Sequence, residues 1–594
     1  MWRDGKCLAT GICMMVFAVS QPGAAEEVIR DQQLPALAEA AKDRFRPITA
    51  DDLAQFKSAV LDGTRDLDRF LKTGAARKRT GWRNYLKWDA MHEELAKDSP
   101  DLRALQGFRS LYFAMHDGLE LAEFRNVRDS LTLYMNGLLV SSRPNLEEMY
   151  KARLDDLAKR LRGFPDNPSS DEATAIGRTL GWLEQAGQAE AVVQAVRQRY
   201  WRPNLMAQLS GRVMTAGFSE EVDEVERVRD NIMGTSIHGT AHMNGEISTR
   251  LVPDSERAAF DILLTGRARS NTVGYNGPVT VRSTGNTSIT ASKHVHVDAD
   301  GFHTLGAVAH CSTNSNISSI AAKCGLVRRI AWKKVRKSKN QAERIASSHA
   351  ARRIERRFDG RAAEMLDEAN GSFSDKFQGP LLRRDSFPNA LRFGTSDSHL
   401  FLELMRAGPF QLAATGEPPE LSEDHDVAIR LHESVVSNFS ETLFGGETLT
   451  DEKLIELLEQ AEVEVPVELQ IGPEKDPWSI TFSRDKPMSA SFSSDGVTVA
   501  IQGRQFTRGD QVIRAAIRIS ATYQLERTEK GARITRQGDV VVEYVNRKSL
   551  SVPQIAMKTF LRRKFDSLFE AEISGEGLQL PGRWERAGKL LVRQ

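Results

Sequence analysis

The sequence predicts an α+β protein of several domains, with an all-α N-terminal domain followed by antiparallel β-rich modules, each associated with a long amphipathic helix. Apolar residues recur at three- and four-residue spacing up to about residue 200. Short runs that alternate apolar with polar residues then replace that spacing, and helical spacing returns behind each β-rich stretch. A chain of 594 residues is also longer than one hydrophobic core usually supports.

The first 25 residues predict a signal peptide. Arg3 and Lys6 form a basic start, residues 7–19 are an apolar run, and residues 23–25 are small, as a signal-peptidase site requires. Because the apolar run is shorter than the roughly 20 residues that cross a bilayer, cleavage is favoured over a membrane anchor. We therefore expect an exported, periplasmic or extracellular protein that begins near Glu26 and has no transmembrane segment after cleavage.

Residues 26–202 are expected to form the helical domain. Its apolar stripes are clear at two places: Leu53, Phe56 and Val60, and Leu154, Leu157 and Leu161. We find no period near about 34 residues, which argues against the common helical repeats. The sequence therefore favours a helical bundle or an irregular solenoid.

Residues 203–337 are expected to form a β-rich meander. Strand-compatible runs lie at residues 205–216, 232–241, 247–252 and 260–264. Ser, Thr, Val and Gly then dominate; Val279 and Val281 alternate with polar residues, and Asn276-Gly277 is a turn signal. This pattern predicts antiparallel strands with one apolar face and one hydroxyl-rich, solvated face.

Residues 338–370 are expected to form a basic amphipathic helix. Between residues 328 and 361 the chain has thirteen Lys or Arg against three acids. A helix presents four of these cations as one ridge, because they lie as adjacent pairs four residues apart: Arg352, Arg353, Arg356 and Arg357.

The ridge predicts a site for a polyanion. Outside the cytoplasm the partners with this chemistry are anionic lipid and envelope polysaccharide, reached by peripheral contact with the membrane. The alternative is pairing with acidic segments of the same chain, at residues 420–426 or 456–464. A net charge of +1 gives no attraction of the whole molecule to nucleic acid, which is not an expected partner.

Residues 371–475 are expected to form a mixed α/β segment, and residues 476–594 a β-rich C-terminal domain closed by a helix. Within the first, residues 427–446 comprise a strand and then a short helix that carries Asn438 and ends in Gly-Gly. This arrangement resembles the strand-and-helix entry of tubular lipid-binding domains, in which a curled sheet wraps a long helix. The resemblance implies that lipids are held in an apolar groove.

Six of the twelve histidines lie between residues 238 and 310. His294 and His296 are expected to share one strand face, and His238 and His242 another. Imidazoles at this spacing bind Zn²⁺ or Cu²⁺ when two strands bring them together. These four residues are therefore candidate metal ligands, and the alternative is a hydroxyl-rich sheet face that carries histidines without a metal.

Cys311 and Cys324 are the cysteines that remain after the leader is removed. In an oxidising compartment their spacing predicts a disulfide, which would stabilise the fold by about 3 kcal/mol. Two free thiols are the alternative, because a sequence does not supply the Cα separation that the bond requires.

Hydrolytic and cofactor motifs are missing from the sequence. There is no Gly-x-Ser-x-Gly elbow and no phosphate-binding glycine loop, and His432-Glu433 lacks the second histidine of a zinc protease. We therefore expect an exported, non-enzymatic scaffold or binding protein of the cell envelope that needs no cofactor. A lipid-binding or lipid-transfer protein is the first alternative, and a metal-dependent hydrolase of envelope polymers is the second.

Overall fold

The computed structural model of the chain describes residues 31–420, 425–460, 469, 476–494, 496–528, 531–547 and 549–575. The predicted signal peptide, residues 1–25, lies outside the described residues. Parts of the two acidic segments lie outside them as well, at residues 421–424 and 461–464. Among the described helices, none combines the length and the apolarity that crossing a bilayer requires.

The described part of the chain alternates between helical and β-rich stretches, which confirms the α+β class. The helices are α1 Gln33–Ala41, α2 Ala50–Lys72, α3 Ala76–Tyr85, α4 Trp88–Ala96, α5 Leu102–Leu111, α6 Ala122–Ser141, α7 Leu146–Gly163, α8 Ser170–Gln185, α9 Glu190–Tyr200, α10 Gly211–Phe218, α11 Gly325–Phe373, α12 Gly379–Arg383, α13 Glu433–Phe444, α14 Asp451–Gln460 and α15 Val552–Leu568. The strands are β1 Leu205–Ser210, β2 Glu220–Ile232, β3 Thr235–Leu251, β4 Ala258–Asn276, β5 Val279–Asp298, β6 Gly301–Thr304, β7 Val308–Ala322, β8 Ala390–Thr395, β9 His399–Met405, β10 Val427–Leu431, β11 Thr448–Thr450, β12 Trp478–Phe482, β13 Met488–Ser493, β14 Gly496–Arg508, β15 Gln511–Thr528, β16 Gly531–Arg536, β17 Val541–Tyr544 and β18 Glu572–Gly575.

Helices α1 to α9 form the all-helical N-terminal part. α2 begins with a capping box, in which the Thr49 hydroxyl accepts from the backbone N–H of Asp52 and the Asp52 carboxylate accepts from that of Thr49. Val60 lies in one apolar cluster, formed by α2 to α6, and Leu154 in a second, formed mainly by α1 and α7 to α9. Both side chains are fully buried, so the apolar stripes of the sequence are core faces.

Strands β2 to β7 form one antiparallel sheet, the long sheet. Its order is β2-β3-β4-β5; β7 follows beside β5, and the short β6 pairs with the end of β5. β4 has 19 residues and spans about 63 Å. β2 is not among the strands that the sequence predicts, because Glu and Asp disfavour strands and six of its thirteen residues are acidic.

The prediction of a strand over residues 211–216 is wrong. These residues belong to α10, and Ser210 caps this helix by accepting from the backbone N–H of Val213 at 3.3 Å. β1 therefore ends at Ser210, and it does not join the long sheet.

Helix α11 is the long helix. It begins at Gly325, earlier than the predicted residue 338, and its 49 residues span about 74 Å. It follows β7 directly and runs back along that strand, so the two elements are antiparallel neighbours. With 49 residues, α11 is about four times as long as the mean helix of a globular protein.

The far end of the long helix meets a second, four-stranded sheet of order β10-β1-β9-β8. β1 comes from the segment predicted as residues 203–337 and the other three from residues 371–475, so the long sheet and its helix are inserted between strands of one small sheet. An apolar cluster joins the two units, and its members include Phe302, Phe373 and Leu402.

The C-terminal part contains the third described sheet, β11 to β18, with α15 packed on one face. Met557, Leu561 and Phe565 lie four residues apart on α15 and are buried against Ile517 and Val542 of the sheet. This module therefore has a filled core, which shows the predicted association of a β-rich segment with an amphipathic helix in its compact form.

Candidate binding cavity

The long helix closes the long sheet into a tube. It lies between β7 and β2, the two edge strands, and it contacts both. Along β7 the contact is a row of hydrogen bonds in which backbone N–H groups at the strand edge donate to helix side chains. The donor and acceptor pairs are Ala307 to Asp359 (2.8 Å), Ala309 to Glu355 (3.1 Å), Thr313 to Ser347 (2.9 Å) and Ser315 to Glu343 (2.6 Å).

The row exists because two repeats match. Four helix residues rise about 6.0 Å and two strand residues about 6.8 Å, so every fourth helix residue meets every second strand residue. Ala351 occupies the middle position of the row, opposite Cys311 in this register, and has no side-chain acceptor to offer. An edge strand with free N–H groups is a template for pairing with other chains, and here the helix covers it.

Along β2 the contact is ionic. The acids on alternate residues of β2 face the helix, whose basic side chains meet them. The ion pairs are Arg353 with Asp230, Arg357 with Glu224 and Arg357 with Glu226, and the His349 ring lies within hydrogen-bond distance of Asp230, at 2.8 Å. The helix therefore holds one edge of the sheet through backbone hydrogen bonds and the other through charge.

Two adjoining cavities run along the inside of this tube, each with a volume of about 290 Å³. Met243 and Ile354 belong to the walls of both. Along β4 the lining extends from Gly274 in the first cavity to Leu264 in the second, a distance of about 33 Å. Each volume is near the lower end of ligand pockets, roughly 300 to 1,000 Å³, so the space is long and narrow.

The walls combine apolar side chains with hydroxyl groups that bond one another. The apolar groups include Ile237, Met243, Val281, Ile289, Val335 and Ile354. Thr272 pairs with Ser283 at 2.9 Å, Thr287 pairs with Thr313 at 2.9 Å, and Ser315 donates to Glu343 at 2.9 Å. Hydroxyls paired in this way need no hydrogen-bond partner from an occupant, so these parts of the lining accept hydrocarbon without leaving polar groups unsatisfied.

The sheet curls where its inward positions are glycines. Gly245 on β3 is paired directly with Gly266 on β4. A Cβ atom on Gly245 would lie 2.6 Å from the carbonyl oxygen of Thr265, and one on Gly266 would lie 2.8 Å from that of Asn244. Only glycine permits this approach on the concave face, so the pair allows the sheet to bend around the helix.

The end of the tube near the small sheet is closed. Lys293 projects inward from β5 and is buried, and its ammonium group donates to Asp359 on the helix at 2.6 Å and to the carbonyl oxygen of Leu305 at 2.9 Å. Beyond it lies the apolar cluster that contains Phe302 and Phe373. An occupant therefore enters from the opposite end, where the β2–β3 and β4–β5 turns lie.

Comparisons with known proteins assign the chain to no family. No protein-family model matches the chain, and no curated protein matches it. Two solved structures are similar to it at a low level. The crystal structure of lipopolysaccharide binding protein has a TM-score of 0.21 at 11% sequence identity, over 66% of this chain and 92% of that one. The crystal structure of P47 of Clostridium botulinum E1 has a TM-score of 0.16 at 7% identity, over 63% of this chain and 91% of that one.

The structure divides the predicted basic ridge. Arg353 and Arg357 face β2 and pair with its acids, whereas Arg352 and Arg356 are exposed. Internal pairing therefore takes two of the four cations, and the acids that pair with them belong to β2.

The structure does not gather the four histidines proposed as metal ligands into one group. His242 is on β3 opposite Arg269 of β4, whereas His294 is on β5 opposite Asp261. These β4 positions are eight residues apart, about 26 Å along the sheet. Among the described residues, no group of three or more His, Cys, Asp or Glu is arranged to hold a metal ion.

Each of these histidines has a local partner on the outer face of the sheet. His242 bonds Asp223, and His238 lies 3.0 Å from the Ser236 hydroxyl. His294 lies 3.0 Å from Asp261, with its ring 6.0 Å from that of His296. Burial, followed by the positive charges nearby, lowers the pKa of His296. The alternative interpretation, histidines on a polar sheet face, is the one that agrees with these contacts.

The two cysteines are free thiols in the structure. Cys311 is half-buried on β7, and Cys324 is exposed at the start of the long helix. Burial raises the pKa of the Cys311 thiol. The disulfide that the spacing allows is not formed, and the structure shows the alternative of two separate thiols.

The segment that resembles tubular lipid-binding domains does not line the tube. Its strand is β10, at the edge of the small sheet, and its helix is α13. Asn438 is buried and donates to the carbonyl oxygens of Arg406 at 2.8 Å and Leu412 at 2.9 Å, so its role is structural. The curled sheet and long helix are instead β2 to β7 and α11.

A more polar cavity, of about 600 Å³, lies beside this segment where α8 meets α13 and the β12–β13 turn. Burial lowers the pKa of His432 and of Lys486 and raises that of Glu441. Arg178 pairs with Asp485 across it at 2.6 Å, and Lys486 donates to the Ser170 carbonyl oxygen. These contacts join the helical and C-terminal parts.

Proposed function

We propose that this protein binds a lipid and holds one hydrocarbon chain, extended, inside the tube between the long sheet and the long helix. The observation that carries the proposal is the pair of adjoining cavities, which together form a narrow space along the tube axis. A space of this shape suits an extended chain better than a fused-ring ligand, because its length along β4 greatly exceeds its width.

The walls also suit this occupant energetically. Each methylene group moved from water into an apolar environment contributes about 0.8 kcal/mol, so about a dozen of them give about 10 kcal/mol before the loss of chain entropy is subtracted. Four hydroxyl groups of the lining are already paired across strands, as Thr272 with Ser283 and Thr287 with Thr313, so an apolar ligand does not strip these of water. The tube therefore offers burial with little opposing desolvation.

Bound lipid is the direct test. The purified full chain, examined by native mass spectrometry and after extraction with organic solvent, is expected to carry one lipid or fatty acid per molecule. A fluorescent fatty acid is expected to exchange into the emptied protein with a saturable increase in emission. A chain that retains no lipid and takes up no fluorescent fatty acid contradicts the proposal.

A variant pair on the long helix locates the site. Ala346 lines the cavity and Ser348 is exposed on the same helix, two residues away. Ala346→Phe is expected to fill the tube and to lower uptake of the fluorescent fatty acid by about tenfold or more, whereas Ser348→Phe adds the same bulk outside and leaves uptake unchanged. Equal uptake by both variants would place the lipid elsewhere.

We propose in addition that the protein acts outside the cytoplasm, on the support of the leader at residues 1–25. Cell fractionation followed by N-terminal sequencing is expected to give a chain that begins near Glu26 in the exported fraction. An intact product that begins at Met1 among cytosolic proteins contradicts this placement. The function as a non-enzymatic scaffold stays a prediction. It differs from lipid binding because a scaffold does not need the cavities inside the tube.

A further inference from the structure

The open end of the tube, which we call the tip, is formed by three corners of the chain. β2 turns into β3 after Ile232, β4 turns into β5 after Asn276, and β7 ends at Ala322 just before the long helix. The strand register brings all three to one end of the sheet, because Ser236 pairs with Tyr275 and Ala322 pairs with Val279.

The tip carries a dense and unpaired positive charge. Residues 323–337 contain seven Lys or Arg and no acid. The seven are Lys323, Arg328, Arg329, Lys333, Lys334, Arg336 and Lys337. Within the described part of the chain, the first ion pair along the helix is that of Lys339 with Glu343, after the tip has ended. This distinguishes the tip from the ridge further along, where β2 neutralises alternate cations.

Large apolar side chains are exposed among these cations. Leu326 is 68% exposed and Ile330 is 59% exposed, and they lie four residues apart on one helix face. Met233, in the β2–β3 turn, is 46% exposed, and Tyr275, near the end of β4, is 52% exposed. Soluble proteins seldom expose several large apolar residues together unless the surface meets a partner.

We propose that the tip docks on the surface of an anionic lipid bilayer. The Lys and Arg side chains contact the phosphate groups, and the four apolar side chains enter the boundary between head groups and acyl chains, as interfacial amphipathic helices do. Met233 also lines the first cavity, so docking places the mouth of the tube at the membrane. The inference that docking serves lipid transfer into the tube rests on the proposed lipid binding. The inference that the tip docks on a bilayer depends only on the side chains of the tip.

The apolar side chains favour a bilayer over a charged polymer. A polysaccharide or a nucleic acid would be held by the cations, and exposed Leu326 and Ile330 would add nothing to its binding. A bilayer uses both sets of side chains, because it presents negative charge above a hydrocarbon layer. The number of cations in the tip also lies in the range that recruits helices to anionic leaflets, about 4–8.

Co-sedimentation with vesicles tests the proposal with the full chain. Vesicles of phosphatidylcholine with about one third phosphatidylglycerol are expected to bind the protein, vesicles of pure phosphatidylcholine are not, and added salt weakens the binding. Leu326→Ser with Ile330→Ser keeps every charge and is expected to weaken binding by about tenfold or more.

Charge variants test where the cations act. Lys333→Gln with Lys334→Gln removes two charges from the tip and is expected to weaken vesicle binding. Arg267→Gln with Arg269→Gln removes two exposed charges from the outer wall of the tube, on β4, and leaves binding unchanged. Circular dichroism on each variant checks that the fold is retained.

Three results would overturn the docking. They are no binding to anionic vesicles, binding that the Leu326 and Ile330 variant leaves at the wild-type level, and equal weakening by the tip and β4 charge variants. The second result would mark the tip as a general site for polyanions. A soluble anionic polysaccharide, used in place of vesicles, would then bind the wild type and the Leu326 and Ile330 variant equally. Uptake of fluorescent fatty acid, measured without vesicles, separates this inference from the proposed function, because the Leu326 and Ile330 variant is expected to keep it.

Discussion

At the scale of single residues, the closed end of the tube depends on one buried charge and its partner. Lys293 is 3% exposed, and its ammonium group reaches Asp359 on the long helix and one carbonyl oxygen. Asp359 accepts a second hydrogen bond, from the backbone N–H of Ala307. A buried ammonium group is tolerated only with such partners, so this pair fixes the depth of the helix in the tube.

The Lys293 hydrogen bond lowers the pKa of Asp359 below its ordinary value, and this shift links stability to pH. Because the folded state favours the carboxylate, the stabilisation is complete above the unfolded pKa of about 3.9 and is lost as pH falls through the lower folded value. We expect the free energy of unfolding to decrease with acid in that window. Asp359→Asn removes this part of the pH dependence. The substitution also lowers the free energy of unfolding at neutral pH by about 2 kcal/mol, because Lys293 loses its counter-charge.

Chemical denaturation of the wild type and two variants between about pH 7 and pH 3 checks this prediction. Asp367→Asn is the matched control, because Asp367 is exposed on the same helix. The control is expected to follow the wild type at every pH. If Asp359→Asn also followed the wild type, the pair would have no role in closing the tube.

At the scale of elements, the tube depends on the match between β7 and the long helix. Four N–H groups in the row find a helix acceptor, and these acceptors lie four or eight residues apart on the helix. Buried N–H groups without a partner are costly, so the row stabilises the closed tube and also protects the strand edge.

Two neighbouring serines on the long helix test the row. Ser347 accepts from the backbone N–H of Thr313, whereas Ser348 is exposed. Both serine-to-alanine substitutions raise helix propensity equally, by a few tenths of a kcal/mol. We expect Ser347→Ala to be less stable than Ser348→Ala by about 1 to 2 kcal/mol, because only the first leaves an N–H group without its acceptor.

Denaturation midpoints and hydrogen exchange measure this difference. The exchange of the Thr313 amide is expected to accelerate in Ser347→Ala and to keep its wild-type rate in Ser348→Ala. Equal stabilities and equal exchange rates in the two variants would show that the row does not hold the helix against β7.

Local sequence patterns predicted many of the helices and strands, but not the closure of the long sheet into a tube by the long helix. Leu154 and its neighbours at helical spacing are core residues, and Val279 and Val281 lie on a strand, as their spacing indicates. The row between β7 and the helix relates two segments with different repeats, which no single-segment pattern contains. β2 escaped prediction because its charges disfavour a strand in isolation, and the cations that face those charges, Arg353 and Arg357, lie on a distant segment of the sequence.

The sequence indicated which residue types the candidate sites contain, but not where those residues lie in the fold. The basic run was evident, yet the helix was expected to begin at residue 338, which left residues 325–337 outside it. Leu326 and Ile330, four residues apart between Arg and Lys, carry the signal that would have extended the helix. The histidines were grouped by spacing alone, and spacing does not reveal that His242 and His294 lie far apart along the sheet.

At the scale of the whole molecule, the helical part is clamped to α12 and the turn after it, which follow the long helix. Arg128 on α6 is 2% exposed, and its guanidinium group donates to the carbonyl oxygen of Leu382 at 2.9 Å and to Asp385 at 3.0 Å. Arg383 reaches back from α12 and donates to Glu120 at 2.7 Å. The tube is therefore anchored at its closed end, and the tip is the end that lies away from the helical part.

This clamp predicts how the molecule unfolds. Arg128→Met keeps most of the buried side-chain volume but removes every hydrogen bond, so we expect it to weaken the coupling of the two parts by about 2 kcal/mol. In differential scanning calorimetry the transition of the helical part should then move to lower temperature and separate from the rest, since coupled units unfold together only while their interface holds. Arg69→Met is the control, because the Arg69 side chain is 79% exposed and its ion pair, with Asp66, lies within its own helix. If the two variants gave the same calorimetric profile, the helical part would be held to the rest of the chain by other contacts, such as those that join it to the C-terminal part around Arg178 and Lys486.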